Sequence, residues 1–266
     1  MIKSAKTYAE NMTKLIIFDL DGTLAESKQP LTSEMAALLA KLLERMPAAI
    51  ISGGALAQFL KQVVSQLPSS ANLANLYLLP TSGASLYEFR NDTWNKIYEE
   101  RLSEKEAHLV ETALRAAASE TGAIDFSKSA WGERIEHRGG QVSMSALGQQ
   151  APATLKKEWD PDRSKRRALQ AAAKKHLPQG FTAAMGGATT IDVTRTGVDK
   201  AYGLRKLCEH LNIPESEVLY VGDELEAGGN DEVVYTTNAE TKRVATSFET
   251  GRFIEEIIAA LTARGG

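Results

Sequence analysis

Two aspartates, separated by one residue, follow the first apolar run of the chain. Asp19 and Asp21 come directly after residues 15–18, Leu-Ile-Ile-Phe, and Gly22 then allows a sharp turn. This pattern predicts a buried strand that ends in two carboxylates, which are costly to desolvate and repel each other unless a cation lies nearby. Ligands bind at the C-terminal ends of strands in open α/β sheets. We therefore predict a Mg²⁺ site here, although an ordinary Asp-Gly turn would also fit these residues.

Two further segments place groups that can hold phosphate at the ends of predicted elements. Ser52 follows an apolar strand-like pair, and its hydroxyl could hold a phosphate oxygen together with the backbone amides of Gly53 and Gly54. Lys200 lies early in a predicted helix and could place an ammonium beside a phosphate. Taken singly, each also fits an ordinary structural role: a serine in a glycine-rich turn and a solvated lysine.

A third carboxylate is predicted at a second strand end. Asp223 follows the apolar run of residues 218–221 and precedes Gly-Gly-Asn-Asp at residues 228–231. Mg²⁺ takes oxygen ligands in an octahedron and keeps several waters. The side chains of Asp19 and Asp223, with the backbone carbonyl of Asp21, would supply about half of that octahedron. We expect Asn230 and Asp231 to support these ligands.

The order of predicted elements divides the chain into a core and an insert. Strands and helices alternate over residues 15–79, which predicts a parallel sheet with crossover helices. From Ser85 the pattern changes to β-hairpins and two helices, and the alternation returns near Thr190. We predict an α/β fold with a discontinuous parallel-sheet core, residues 1–88 and 188–266, and an inserted α+β domain, residues 89–187. Inserts of this kind commonly act as lids.

The composition is typical of a soluble globular protein. The 266 residues carry a net charge of −3, which gives no general attraction to nucleic acid or anionic membranes. No apolar run has the length of a membrane span, and the polar residues 1–13 lack the core of a secretory signal and predict a short extension. The single cysteine, Cys208, lies among leucines at helical spacing and excludes an internal disulfide. These features predict a cytoplasmic protein.

A basic run at Arg163–Lys175 is predicted to be a solvated helix face. No aromatic residues interleave with its charges, so we favour this interpretation over contact with nucleic acid.

Together the four segments resemble the ordered motifs of the haloacid dehalogenase superfamily: D-x-D-G-T, a strand-end serine, a lysine, and G-D followed by N-D. The resemblance implies a Rossmann-like core and phosphoryl transfer through an aspartyl-phosphate. It implies that Asp19 is the nucleophile and Asp21 the general acid and base. Ser52 and Lys200 would hold the phosphoryl group, and Asp223 would bind Mg²⁺. The physical chemistry agrees, because phosphoryl transfer depends mostly on alignment and charge neutralisation.

The insert resembles the class IIB cap of that superfamily, found in sugar-phosphate phosphatases and eukaryotic-type phosphomannomutases. Residues 136–149 follow the mutase pattern E-F-R-N-G-M-L-N-V-S-P-I-G-R, and residues 222–231 follow G-D-x-x-x-x-G-G-N-D. This resemblance implies that a hexose phosphate binds between core and cap. It implies contacts from Lys28, Arg138, Thr190 and Asp192, and makes a cap-mediated homodimer plausible.

The sequence departs from the mutase pattern at positions that would hold the second phosphate. Arg138 is kept, but Lys28 and Gln149 replace arginines, and Lys156 lies near a third arginine position. Lysine lacks the bidentate fork, and glutamine lacks the charge. Ser52 also fits the hydrolase pattern better. We therefore predict hydrolysis of a sugar phosphate first, interconversion of hexose 1- and 6-phosphates second, and a non-catalytic binding protein as a remote third.

Overall fold

The computed structural model describes residues 13–264, so nearly all of the predicted N-terminal extension lies outside the described residues. The strands are β1 (Leu15–Asp19), β2 (Ala48–Ile51), β3 (Leu76–Leu79), β4 (Ser85–Arg90), β5 (Thr93–Glu99), β6 (Ile135–His137), β7 (Val142–Ser145), β8 (Phe181–Met185), β9 (Thr190–Arg195), β10 (Val218–Gly222) and β11 (Glu240–Arg243). The α-helices are α1 (Ser33–Leu43), α2 (Leu56–Gln62), α3 (Glu104–Thr121), α4 (Ala153–Trp159), α5 (Ser164–His176), α6 (Lys200–Leu211) and α7 (Ser247–Arg264). Within residues 13–264, no helix is both long and apolar enough to traverse a bilayer.

The first compact unit comprises the chain up to Tyr98 and from Asp199 onward. It contains one seven-stranded sheet in the order β11-β10-β1-β2-β3-β4-β5. The five strands from β11 to β3 are parallel, and β4 turns back antiparallel on β3. The predicted α/β fold is confirmed.

The side chains of this sheet alternate between two apolar layers. In β1, Ile16 and Phe18 pack into the layer formed with α1, α2 and α7, whereas Leu15 and Ile17 pack with α6. Central parallel strands are covered on both faces, so they are apolar throughout. Cys208 of α6 is buried in the second layer, where burial raises the pKa of its thiol to about 12. It is therefore an unreactive core residue.

The second compact unit is Glu99–Val198. Its antiparallel sheet has the order β6-β7-β9-β8. One face of this sheet packs against α3 and α5 through Val142, Met144, Ile191 and Val193. The alternate positions of β7 and β9 carry buried polar side chains, namely Ser143, Ser145, Thr190, Asp192 and Thr194. A sheet with one apolar and one polar face is thus built into this unit.

The structure places both boundaries of the insert later than predicted. The hairpin β4–β5 belongs to the first unit because β4 continues the large sheet beyond β3, with Leu78 opposite Tyr87. Strand β9 pairs with β7 and β8, so residues 190–195 extend the second sheet rather than the core. Thr190 and Asp192 therefore lie in the second unit. The end of this unit depends on which strands pair with β9, and local sequence does not reveal that pairing.

Candidate active site

Three neighbouring parallel strands bring the first candidate residues to one edge of the sheet. Asp19 is the last residue of β1, Ser52 follows β2, and Asp223 follows β10. The register pairs Asp19 with Ile51, the residue before Ser52, and pairs Phe18 with Val221. Because β10, β1 and β2 are adjacent and parallel, their C-terminal ends meet at the position where open α/β sheets bind ligands.

Lys200 reaches this edge from the start of α6. The side chain of Asp199 caps the helix by accepting a hydrogen bond from the amide of Tyr202 at 2.9 Å. The helix lies against a loop at Gly83, where a Cβ on Gly203 would come within 2.7 Å of the Gly83 Cα. Capping and close glycine contact thus determine where the first turn of α6 and its lysine lie.

The buried ammonium of Lys200 contacts three side-chain oxygens. Its Nζ donates to Asp19 Oδ1, Asn230 Oδ1 and Asp231 Oδ1, each at 2.6 Å. An ammonium has three protons, so these contacts match its donors one for one. The structure therefore brings together Asp19, Lys200 and the predicted supporting residues Asn230 and Asp231.

The acidic cluster carries more negative than positive charge. Carboxylate oxygens of Asp19, Asp223 and Asp231 lie within 4.8 Å of one another. Burial, together with the charges of Asp231 and Asp223, raises the pKa of Asp19 despite the opposing ammonium. Burial lowers the pKa of Lys200, but Asp19 and Asp231 outweigh burial, so its pKa is raised and the ammonium stays charged. The single ammonium of Lys200 cannot neutralise three carboxylates. A cluster of this kind suits a hard divalent cation, which prefers oxygen ligands.

Asp223 is held close to the first motif. Thr23 Oγ1 donates to Asp223 Oδ1 at 3.1 Å. Gly22 has a φ of +95°, and a Cβ there would collide with the Asp223 carboxylate. Burial, with the charges of Asp231 and Glu224, raises the pKa of Asp223 to about 6. Gly22 is therefore required both for the turn and for the approach of this carboxylate.

The Asp21 carboxylate is held by groups outside the acidic cluster. Its Oδ1 accepts from the backbone amide of Lys28 at 2.6 Å, and its Oδ2 accepts from Gln58 Nε2 at 3.4 Å. Burial raises the pKa of Asp21, while the Lys28 amide opposes the rise. A carboxyl group with a raised pKa is suited to proton transfer near neutral pH. Lys28, predicted to bind substrate, contacts Asp21 through its backbone.

Ser52, Gly53 and Gly54 form a tight turn after β2. Ser52 is buried, and its Oγ accepts from the Gly54 amide at 3.4 Å. A Cβ on Gly54 would collide with the side-chain amide of Gln58. The turn therefore places a hydroxyl at the edge of the sheet that also carries Asp19.

Arg138 lies in the second unit and is oriented by an acidic neighbour. Only 8% of its side chain is exposed, and Nε and Nη2 donate to Glu136 Oε2 at 2.9 and 2.7 Å. Gln149 and Lys156, the two positions of the second unit discussed above with Arg138, are also buried. The Lys156 ammonium donates to the backbone carbonyl of Gln149 at 2.8 Å, so it helps to anchor this loop.

Thr190 and Asp192 lie on the buried polar face of the second sheet. Gly186 leaves space for Asp192, because a Cβ there would collide with the aspartate carboxylate. The structure thus divides the predicted site residues between two units. Arg138, Thr190 and Asp192 belong to the second unit, and all the others belong to the first.

Sequence reasoning missed three residues that contact the acidic site. Thr23 was visible in the D-x-D-G-T motif but was given no role, and it hydrogen-bonds to Asp223. Gln58 lies in an amphipathic helix and has no distinguishing signal, yet it contacts Asp21. Tyr220 interrupts an aliphatic strand, and its hydroxyl donates to Asp231 at 2.5 Å. A hydroxyl in an otherwise apolar strand was the available signal.

Comparison with solved structures gives the class of fold. The Plasmodium falciparum IMP-nucleotidase is similar over 98% of this chain and 66% of its own, with a TM-score of 0.68 and 18% identity. A haloacid dehalogenase-like hydrolase from Bacteroides thetaiotaomicron is similar over 92% of this chain and 99% of its own, with a TM-score of 0.60 and 17% identity. The fold is that of the haloacid dehalogenase superfamily.

Comparison with protein families gives the branch. The family model described as eukaryotic phosphomannomutase matches residues 35–260. The phosphomannomutase of Saccharomyces cerevisiae is 26% identical over 233 residues, which cover 86% of this chain and 87% of that protein. A probable phosphomannomutase of Caenorhabditis elegans is 26% identical over 228 residues, which cover 83% and 85%. The chain belongs to the eukaryotic phosphomannomutase family of the haloacid dehalogenase superfamily. The chemistry of this family is phosphoryl transfer.

Proposed function

We propose that this protein interconverts hexose 1- and 6-phosphates by moving a phosphoryl group through Asp19. The buried pair of Asp19 and Lys200 beside Asp223 is the observation that carries the phosphoryl-transfer part of the proposal. The names of the relatives support the mutase part, and we rank mutase activity above the hydrolysis that the sequence first favoured.

In the proposed reaction, a carboxylate oxygen of Asp19 attacks the phosphorus at position 1 of a hexose 1,6-bisphosphate as the bond from that phosphorus to the sugar oxygen breaks, which leaves hexose 6-phosphate. Asp21 donates its proton to the leaving sugar oxygen. Asp21 then accepts a proton from the free 6-hydroxyl of a hexose 1-phosphate, and that hydroxyl oxygen takes the phosphoryl group from Asp19, which forms the bisphosphate again. Lys200 and Ser52 hold the phosphoryl oxygens throughout, and the ammonium offsets their negative charge.

The donor set of the acidic cluster fits Mg²⁺, which prefers oxygen ligands. Asp19 and Asp223 would hold it through their side chains, and Asp21 through its backbone carbonyl. When bound, this ion would supply positive charge to the transferring phosphoryl group.

A sugar phosphate is the proposed substrate because of the second unit. Its sheet offers hydroxyls and a carboxylate on one face, including Ser143, Thr190 and Asp192. Such groups suit the hydroxyls of a hexose. We assign the non-reacting phosphate to Arg138, whose side chain is already oriented by Glu136.

Hydrolysis is the second candidate, and Gln149 and Lys28 favour it. A mutase must hold a phosphate at either end of a bisphosphate, and Gln149 supplies no charge for this task. In a phosphatase, Asp21 would take a proton from water instead of from a sugar hydroxyl.

The two candidates separate in one experiment. Mannose 1-phosphate is incubated with Mg²⁺ and a catalytic amount of a hexose 1,6-bisphosphate, and ³¹P NMR follows the products. The mutase proposal predicts hexose 6-phosphate without equivalent release of inorganic phosphate. Inorganic phosphate formed in step with substrate loss would support hydrolysis instead. Asp19→Asn is the matched control, and activity that survives in this variant would contradict the role of Asp19.

Two further predictions concern the setting of this reaction. We propose that it takes place in the cytoplasm and that the protein forms a homodimer through its second unit. Light scattering coupled to size-exclusion chromatography measures the mass directly, and a mass near that of one chain at micromolar concentration would contradict the dimer.

A further inference from the structure

Tyr220 places a buried hydroxyl next to the acidic cluster. The residue lies in β10, between β11 and β1, and its side chain is fully buried. Its ring packs in the same apolar layer as Leu204 and Leu207 of α6. Its hydroxyl donates to Asp231 Oδ1 at 2.5 Å. A tyrosine hydroxyl in an apolar layer needs a partner, and here the partner is a carboxylate of the site.

Asp231 is thereby held by three donors. Its Oδ1 accepts from Tyr220 and from the Lys200 ammonium, which is 2.6 Å away, and its Oδ2 accepts from the Glu224 amide at 3.2 Å. Gly222 completes this packing, because a Cβ there would collide with Asp231 Oδ2 and come within 2.9 Å of Tyr220 Cε1. The carboxylate therefore has little freedom to rotate.

We propose that Tyr220 is a positioning residue for phosphoryl transfer. Its hydroxyl orients the Asp231 carboxylate, and Asp231 in turn holds Lys200 where its ammonium meets the nucleophile Asp19. This inference rests on the proposed phosphoryl transfer through Asp19. A phenylalanine would preserve the packing of the ring but would leave Asp231 Oδ1 with one donor fewer. Small errors in the position of a charged group cost much of its effect in a transition state.

The first experiment compares Tyr220→Phe with Tyr77→Phe. Tyr77 is a buried tyrosine of the same apolar layer, on β3, so its variant controls for the loss of a hydroxyl from this layer. We expect Tyr220→Phe to lower kcat about tenfold with KM within about twofold of wild type. We expect Tyr77→Phe to leave both constants unchanged. A wild-type kcat in Tyr220→Phe would overturn the proposal.

The second experiment asks whether Tyr220 acts through Asp231. If it does, adding Tyr220→Phe to Asp231→Asn should lower kcat less than twofold further, rather than about tenfold. Independent, multiplicative effects on kcat would overturn the proposal. The Mg²⁺ dissociation constant, measured by calorimetry, should stay within about twofold in Tyr220→Phe. A tenfold weaker Mg²⁺ affinity would mean that the hydroxyl acts on the ion site instead.

A third measurement separates failure of this inference from failure of the proposed function. Urea unfolding is measured without substrate for the wild type, Tyr220→Phe, Asp231→Asn and the double variant. The four unfolding free energies give the coupling energy between Tyr220 and Asp231 whether or not the protein is active. If the two residues are coupled in unfolding free energy but the wild type is inactive, the contact exists. The proposed phosphoryl-transfer function is then wrong, and so is the positioning role that depends on it. An active wild type without coupling would overturn the positioning role alone.

Discussion

At the level of single residues, the carboxylates of the acidic cluster repel one another, and a bound cation would reduce that repulsion. Lys200 is the only ammonium that the described residues bring into contact with Asp19, Asn230 and Asp231. Asp223 makes no such contact with Lys200 and instead accepts from the Thr23 hydroxyl. The ionised form of Asp223 is therefore not stabilised by a direct contact with the Lys200 ammonium.

Asp223→Asn should stabilise the metal-free protein above neutral pH. The pKa of Asp223 is raised to about 6, so the folded state binds this proton more tightly than the unfolded state. The stability that this group contributes is complete below about pH 4 and is lost as the pH rises through 6. In EDTA at pH 8, we expect the variant to gain about 1–3 kcal/mol in urea unfolding, and to gain nothing near pH 4.

Mg²⁺ supplies the complementary control for Asp223. Addition of Mg²⁺ at pH 8 should raise the urea midpoint of the wild type and leave that of Asp223→Asn nearly unchanged. An equal loss of stability at pH 4 and pH 8 would show that the asparagine simply disrupts packing, and would contradict the electrostatic explanation.

At the level of elements, the first turn of α6 connects helix capping to the site. Asp199→Ala removes the cap of the helix that begins with Lys200. Thr32→Ala removes the equivalent cap of α1, where Thr32 Oγ1 accepts from the Met35 amide at 3.1 Å. Both variants should lose about 1 kcal/mol in urea unfolding.

Only Asp199→Ala should also reduce kcat, by about tenfold, because α1 carries none of the candidate site residues. Equal kcat values in the two variants would contradict the link between the α6 cap and the position of Lys200.

The second unit contains an acid-sensitive contact at the start of α3. Hydrogen bonds from Arg195 and from Ser103 lower the pKa of Glu106 to about 2. The stability gained from this carboxylate is therefore present above about pH 4.5 and is lost as the pH falls toward 2. The pair is partly exposed, so the effect is small.

Glu106→Gln should flatten the acid side of the stability profile. Between pH 5.5 and pH 3, the urea midpoint of this variant should fall less than that of the wild type. Glu104→Gln, two residues earlier in the first turn of α3 and exposed to solvent, serves as the control. Identical pH profiles for wild type and Glu106→Gln would show that the Arg195 contact contributes nothing in solution.

Local pattern was sufficient to predict most of the elements and the edge that carries the site. The sequence has one apolar run that ends in Asp19 and another that ends before Asp223. Because the C-terminal ends of parallel strands lie at one edge of a sheet, the two aspartates could be predicted to lie close together. The edge strand β11, Glu-Thr-Lys-Arg, was missed because it lacks both an apolar run and alternation. The sheet to which β9 belongs could not be predicted either, because apolar alternation gives a strand but not its partner.

At the level of the whole molecule, the insert has the features of an independent domain. Glu99–Val198 has its own four-stranded sheet and its own apolar cluster, which includes Val110, Leu114 and Leu169. We expect residues 99–198, expressed alone, to unfold cooperatively in urea and to give dispersed amide resonances in NMR. The variant Leu114→Ala in the same fragment should lower its stability by about 2–5 kcal/mol. A fragment with a random-coil spectrum would contradict this independence.

The central claim is that Asp19 carries the phosphoryl group during the reaction, and trapping that group tests it most directly. The protein is mixed with Mg²⁺ and a ³²P-labelled hexose 1,6-bisphosphate, quenched in acid within the first turnover, and digested for peptide mapping. We predict label on the peptide that contains Asp19, released by hydroxylamine as expected of an acyl phosphate, and no label in Asp19→Asn. Turnover by the wild type with no labelled peptide, or with label elsewhere in the chain, would contradict the account.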